Sequence, residues 1–84
     1  MDRKVLRKVL IANRGEIALR ISHTLREMGI GAVAIFTPED KGSLHAETIL
    51  EARQVESYLD PEGIVRAARD TGADAIHPGY GFLS

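Results

Sequence analysis

The run Lys8-Val9-Leu10-Ile11-Ala12 and the run Ala32-Val33-Ala34-Ile35-Phe36 flank a stretch whose apolar residues recur with a helical period. That combination restricts the fold more than any other feature. A short continuous run of branched apolar residues bounded by a turn marks a strand buried on both faces, as in a parallel sheet covered by helices. The first run ends in Asn13-Arg14-Gly15, a turn. From Gly15 to Met28 the period changes: Ile17, Ile21, Leu25 and Met28 recur at spacings of four, four and three, lining one helix face. Glu16, Arg20, His23 and Glu27 form the opposite stripe, with Glu16/Arg20 and His23/Glu27 each four residues apart. Gly29 follows, where a left-handed helix cap is wanted.

Beyond the second run, Thr37-Pro38-Glu39-Asp40-Lys41-Gly42 is a turn cluster. Ser43 to Val55 leaves two alternatives: a short helix opening at Ser43 with Ala46-Glu47, or a brief strand at Thr48-Ile49-Leu50. Asp60-Pro61-Glu62 then supplies an N-cap, a proline suited to the first helical position and an acid in the first turn. Ile64, Val65, Ala67 and Ala68 give that helix its apolar face, and Gly72 closes it. Ala73-Asp74-Ala75-Ile76-His77 is a further strand, emptying into Pro78-Gly79-Tyr80-Gly81-Phe82-Leu83-Ser84. Strand, helix, strand, short irregular element, helix, strand predicts an α/β fold built on a parallel sheet with right-handed crossovers. The sequence stops where the next helix should begin, so the sheet is expected to be incomplete at its C-terminal side.

An 84-residue chain has room for one small domain, and 44% hydrophobic with 27% charged residues is the composition of a globular protein. A net charge of −1 gives no electrostatic reason to expect nucleic acid or an anionic membrane as partner. The one locally basic stretch, Arg3-Lys4 with Arg7-Lys8, is read as part of a solvated N-terminal extension over residues 1–7. Without cysteine there is no disulfide, thiolate metal site or thiol nucleophile. The sequence shows no apolar run near 18 residues and no signal-peptide pattern, so a soluble, cytoplasmic protein is expected.

Ligands of open α/β sheets bind beyond the carboxyl ends of the strands. Two loops qualify: Asn13 to Glu16, and His77 to Ser84. The first has one glycine and a glutamate where a phosphate would need backbone amides, and lacks the adjacent acids of a magnesium-binding receiver domain. The second holds only a degenerate Gly79-x-Gly81-x-x-Ser84 fingerprint. Two glycines around a tyrosine allow close backbone approach to a ligand beside an aromatic ring. They equally suit a tight strand exit with Tyr80 and Phe82 packed into a neighbouring layer. His23 on the polar stripe fits a solvated or interface role, and His45 has no partner at metal-ligand spacing. No nucleophile–histidine–acid order and no acid pair in an apolar setting occurs, so neither a catalytic residue nor a metal site is assigned.

The blocks Lys8-Val9-Leu10-Ile11-Ala12-Asn13-Arg14-Gly15-Glu16-Ile17-Ala18-Leu19-Arg20, Ser43-Leu44-His45, Ser57-Tyr58-Leu59 and Gly72 to Ser84 resemble the opening of biotin carboxylases, in the same order. The resemblance covers nearly the whole chain from Lys8 and implies a domain over residues 8–84: a small Rossmann-like sheet flanked by helices, ahead of an ATP-grasp domain. It implies the N-terminal part of an ATP-dependent ligase that activates bicarbonate as carboxyphosphate and carboxylates biotin on a carrier protein. ATP, magnesium and the general base would belong to the ATP-grasp domain, so this chain alone would bind no cofactor and be inactive. The implied partners are the remaining carboxylase domains, the biotin carboxyl carrier protein, a carboxyltransferase and a second copy of the chain.

By the same resemblance Tyr80 and Gly81 line the biotin side of the active site, and Arg20, His23 and Glu27 lie at a dimer interface. Two departures stand out. His23 replaces a typical arginine, and an imidazole cannot form a two-pronged pair with a carboxylate. Ala46 to Ser57 is shorter than in the family and charged, so that a brief strand near Glu47 to Leu50, or a helix in its place, is expected. Two other classes of function stay open: a non-catalytic interaction module that binds a carboxylase partner through the first-helix stripe, and a small nucleotide-binding protein using the Gly79/Gly81 turn.

Overall fold

In the computed structural model, residues 6–79 of the chain are described. They form β1 (Lys8–Ile11), α1 (Gly15–Glu27), β2 (Gly31–Phe36), a 3-10 turn at Pro38–Asp40, α2 (Leu44–Thr48), β3 (Glu51–Gln54), α3 (Pro61–Thr71) and β4 (Ala75–His77). All strands run parallel, in the order β3-β2-β1-β4. Leu10 aligns with Val33 on one side and Ile76 on the other, so the most apolar strand is central.

Successive strand residues face opposite sides of a sheet, and the two cores divide accordingly. Leu10, Ala12, Val33 and Ile35 pack with Val55, Tyr58 and the α3 residues Ile64, Ala67 and Ala68. Val9, Ile11 and Ala34 pack with Ala18 and Leu25 of α1 and with Ile49. Hence α1 covers one face and α3 the other, which is why β1 and β2 carry unbroken apolar runs. Leu10, Ile11, Val33 and Ile35 are fully buried, each worth about 1.5–3 kcal/mol in transfer free energy.

The helix ends follow local chemistry. Gly29 (φ 75°) and Gly72 (φ 72°) take the left-handed conformation that a side chain disfavours. The N–H of Gly72 bonds Arg69 O at 3.2 Å and that of Ala73 bonds Ala68 O at 2.9 Å, satisfying carbonyls at the end of α3. Asp60 occupies the expected N-cap position of α3 but closes no side-chain hydrogen bond to the helix. Its carboxylate lies against Gly63, where a Cβ would collide with Oδ2.

The segment after His45 corrects the sequence expectation. A helix and a strand are both present: α2 ends at Thr48, and the strand begins only at Glu51. Ile49 is buried, yet Leu50 is 99% exposed, so the apolar pair expected to form the strand is the bend before it. The strand itself is the polar Glu-Ala-Arg-Gln sequence. Its position at the sheet edge, paired only with β2 among the described strands, makes polar residues tolerable there. Lys8 Nζ reaches Glu51 Oε1 at 2.8 Å and Thr71 O at 2.8 Å, tying β1 to the edge strand and to α3. At the opposite edge, Asp74 Oδ2 accepts the backbone N–H of Arg7 at 2.8 Å and of Lys8 at 3.0 Å, which holds its carboxyl below the usual carboxylate range.

Candidate functional site

The sheet changes direction between β1 and β4. From β1 the chain winds outward through β2 to β3, then crosses the opposite face through α3 to return beside β1. Such a reversal leaves a crevice at the carboxyl ends of the two strands, because their neighbouring helices lie on opposite faces. Asn13 and Pro78-Gly79, the described beginnings of the two loops singled out in the sequence, emerge there side by side.

Backbone pairing continues one step past the strands, with Ala12 N–H donating to His77 O at 2.9 Å. A side chain then takes over: Asn13 Nδ2 donates to Pro78 O at 2.9 Å, while its Oδ1 accepts the Arg14 N–H at 2.8 Å. Asn13 is 1% exposed. The N–H of Gly79 donates to His77 Nδ1 at 2.9 Å, and Gly79 has φ 64°. A Cβ at Gly79 would stand 2.7 Å from Asn13 Nδ2 and 3.1 Å from Ile17 Cγ2, so glycine is required by both conformation and space. Tyr80 and Gly81 follow immediately and lie outside the described residues.

Behind the first loop is a hydrogen-bonded chain that sequence spacing did not reveal. Arg14 binds Asp40 through Nε at 2.7 Å and Nη2 at 2.8 Å. Asp40 Oδ2 also accepts the Tyr58 hydroxyl at 2.6 Å. His45, 1% exposed, places Nε2 3.0 Å from Ile35 O and Nδ1 3.3 Å from the N–H of Gly15 and 3.0 Å from Ser43 Oγ. A carbonyl only accepts and an amide N–H only donates, so the partners assign the proton to Nε2 and leave Nδ1 as acceptor. Nε2–H also faces the Tyr58 oxygen at 3.4 Å. The first turn of α1 is thus pinned to β2, α2 and the Tyr58 loop.

Charge follows this geometry. Hydrogen bonds from Arg14 and then from Tyr58 bring the Asp40 carboxyl down to about 2. Burial, followed by the hydrogen bond to anionic Asp40, pushes the Tyr58 hydroxyl up to about 12, and the Asp40 bond raises Arg14 further above its usual range. At neutral pH the arrangement thus holds Asp40 as a carboxylate and Tyr58 as a phenol. Among the described residues no group of three or more His, Cys, Asp or Glu side chains is placed to hold a metal.

Arg20, His23 and Glu27 are all exposed on α1. His23 Nε2 lies 3.7 Å from Glu27 Oε2, a loose contact between side chains that are both about two-thirds exposed. Between α1 and β4 runs an open apolar groove of about 750 Å³, lined by residues that include Ile17, Ile21, Met28 and Ile76, with Arg20 at its wall. No helix among the described residues is long and apolar enough to cross a membrane.

The sequence profile of "Biotin carboxylase, N-terminal domain" matches residues 5–84. The chain belongs to the biotin carboxylase N-terminal domain family. The alpha subunit of mitochondrial methylcrotonoyl-CoA carboxylase from Oryza sativa is 53% identical over 83 residues, covering 92% of this chain and 11% of that protein. Biotin carboxylase 1 of Bacillus subtilis is 49% identical over 86 residues, covering 95% of this chain and 19% of that protein. The crystal structure of Rhizobium etli pyruvate carboxylase superposes with a TM-score of 0.91 at 45% identity, covering 94% of this chain and 9% of that one. This biotin carboxylase domain therefore spans only about a tenth to a fifth of the length of these relatives.

The residues that hold the two loops by hydrogen bonds and were not assigned from the sequence, Asn13, Asp40, His45 and Tyr58, come from four separate segments. Asn13 stood in a loop already marked as ligand-side, and the blocks of the resemblance contain Asn13, His45 and Tyr58.

Proposed function

We propose that this chain is the N-terminal domain, residues 8–84, of an ATP-dependent ligase that carboxylates protein-linked biotin with bicarbonate. In this reading Tyr80 and Gly81 form part of the biotin-side wall of the active site. The observation that carries it is the reversal of strand order between β1 and β4, since the segment leading to Tyr80 leaves the sheet at that crevice. A tyrosine ring suits the flat face of biotin's fused rings, and a glycine allows the backbone amide to approach the polar ureido edge.

In this reading ATP and magnesium would be held elsewhere in the enzyme, by its ATP-grasp domain. The chain by itself would be inactive. Its partners would be the remaining carboxylase domains, a biotin carboxyl carrier protein, a carboxyltransferase and a second carboxylase subunit, the last through Arg20, His23 and Glu27. Its compartment would be the cytoplasm.

The test restores the rest of the enzyme, by fusing this chain to the ATP-grasp and C-terminal regions of a matching biotin carboxylase. Tyr80→Ala removes an aromatic face, and Gly81→Val puts a branched side chain where backbone approaches ligand. Both are expected to lower kcat/KM for biotin by about 5- to 150-fold, the cost of a well-packed ring contact. Bicarbonate-dependent ATP hydrolysis should change far less. Equal loss of both reactions together with a large fall in Tm would show that Tyr80 is only a packing residue.

A further inference from the structure

The apolar groove of about 750 Å³ between α1 and β4 has no cover among the described residues. We propose that it seats an amphipathic helix with an apolar stripe and an acid opposite Arg20, contributed by the carboxylase polypeptide outside this chain. This rests on the reading of the chain as one domain of a longer carboxylase, and it names what that domain packs against.

The layering of the sheet makes the groove one helix wide. α1 packs through Ala18 and Leu25 onto Val9, Ile11 and Ala34, so it covers β1 and β2. Strands lie about 4.8 Å apart and packed helices roughly 8–10 Å apart, so one helix covers two strands. The next helix position on that face falls over β4, whose Ala75 lines the groove. Along α1 the groove runs from Ile17 to Met28, about 16 Å at the helical rise and so about three turns. That length takes apolar side chains at the i, i+3, i+4, i+7 spacing of a helix laid in a groove. The winding of the sheet does not supply this helix. β1 to β2 moves away from β4 by way of α1, and β3 to β4 moves the other way by way of α3 on the opposite face. A right-handed connection leaving β4 outward continues in the α3 direction and puts its helix on the α3 face. The occupant of the α1 face therefore comes from elsewhere in the enzyme. The chain covers 11% and 19% of two relatives that it matches, so most of such a polypeptide lies outside it.

Charge selects the kind of helix. No Asp or Glu lines the groove, and Arg20 at its wall is ion-paired with no described residue. Docking displaces water from that cation, which then requires an acid on the incoming helix. A second copy of this chain does not offer one. The apolar faces of α1 and α3 already pack on their own sheet, and of their large apolar side chains only Val65 is exposed. Pairing α1 with itself about a two-fold axis would also set Arg20 against Arg20. His23 and Glu27 do not line the groove, so this contact is separate from a subunit contact made through those two residues.

The test uses the fusion with the remainder of the Bacillus subtilis biotin carboxylase. A benzophenone amino acid in place of Met28, a side chain 66% exposed in the groove, is irradiated in a mixture of isotopically light and heavy fusion. The expected cross-link joins position 28 to a single segment of the same polypeptide outside this chain, with apolar residues at helical spacing and an acid among them. Links between light and heavy polypeptides would make the groove a contact between copies, and links only within this chain, or none, would leave it open; each of these results overturns the proposal. Arg20→Glu should lower the Tm of the fusion by roughly 2–4 °C, and changing the acid of the cross-linked segment to lysine should restore most of that loss. An Arg20→Glu fusion with the parental Tm overturns the assignment of the acid. If the benzophenone variant fails to fold, Met28→Cys replaces it, since this chain has no cysteine of its own. Its alkylation by a maleimide should be roughly tenfold slower in the fusion than in the dilute chain alone, and equal rates overturn the proposal. Biotin-dependent ADP release separates this inference from the one it rests on. An active fusion without the cross-link refutes the docked helix and leaves the proposed function standing, whereas a cross-linked but inactive fusion keeps the docked helix and refutes the catalytic reading.

Discussion

The hydroxyl of Tyr58 donates to Asp40 Oδ2 at 2.6 Å, across the gap between the loop after β3 and the turn after β2. The same carboxylate holds Arg14 through two N–H bonds, so one acid joins the start of α1 to two loops on the carboxyl side of the sheet. A bond from a neutral phenol to a partly buried anion contributes about 1.5–3 kcal/mol. Tyr58→Phe should therefore lower the unfolding free energy by that order at neutral pH in urea titrations. Tyr58→Ala should cost more, because Tyr58 is also part of the α3-side core.

The acid limb of the stability profile should report Asp40. Its folded-state carboxyl sits at about 2, below the 3.8 of an unperturbed carboxyl. A depressed folded value means the stabilisation is fully present above about pH 4 and is lost as pH falls through about 2. Asp40→Asn should be less stable than the parent at pH 6, with the difference shrinking between pH 4 and pH 2. Parallel stability curves over that range would show that the carboxylate contributes nothing.

Replacing His45 with leucine should cost about 2–4 kcal/mol despite similar bulk. The change leaves Ile35 O without its ring N–H and the Gly15 N–H without its acceptor, in a position 1% exposed. Urea unfolding of His45→Leu measures this, and slowed or lost protection of the Gly15 amide in hydrogen exchange would locate it.

Much of this was legible beforehand, and the reasons are physical. β1 and β2 are buried on both faces, so their apolar runs are continuous and bounded by turns, and the 3.6-residue period of α1 and the Pro61 and Gly72 ends of α3 need no tertiary information. β3 was misplaced because an edge strand has no need of apolar residues. Thr48-Ile49-Leu50 has the stronger strand propensity but ends a helix and forms a bend. The Arg14–Asp40–Tyr58–His45 chain was invisible to spacing rules, since its members meet only after three parallel strands have aligned. Asn13 and Gly79 stood in the two loops already marked as ligand-side, but the bond from one loop to the other is a product of the β1–β4 pairing.

The open groove between α1 and β4 predicts behaviour in solution. Leu6, Met28 and Ile76, at 42%, 66% and 39% exposure, line it without cover from the described residues. Parallel sheets are stable when helices cover both faces, and an uncovered apolar surface favours association. The Tm of the purified chain should rise with protein concentration, as mass action requires of a folded oligomer. A cooperative melt independent of concentration, from a monomer by analytical ultracentrifugation, would contradict this.

The proposed function makes this chain the N-terminal domain of a biotin carboxylase, inert alone and competent when joined to the rest. It is tested most directly by biotin-dependent release of ADP, with bicarbonate present, measured on three purified samples. These are this chain alone, the Bacillus subtilis biotin carboxylase lacking its matching N-terminal segment, and the fusion of the two. The predicted result is no turnover above background from either part and biotin-dependent turnover from the fusion. Turnover by the chain alone, or a folded fusion that binds ATP yet never carboxylates biotin, would contradict it.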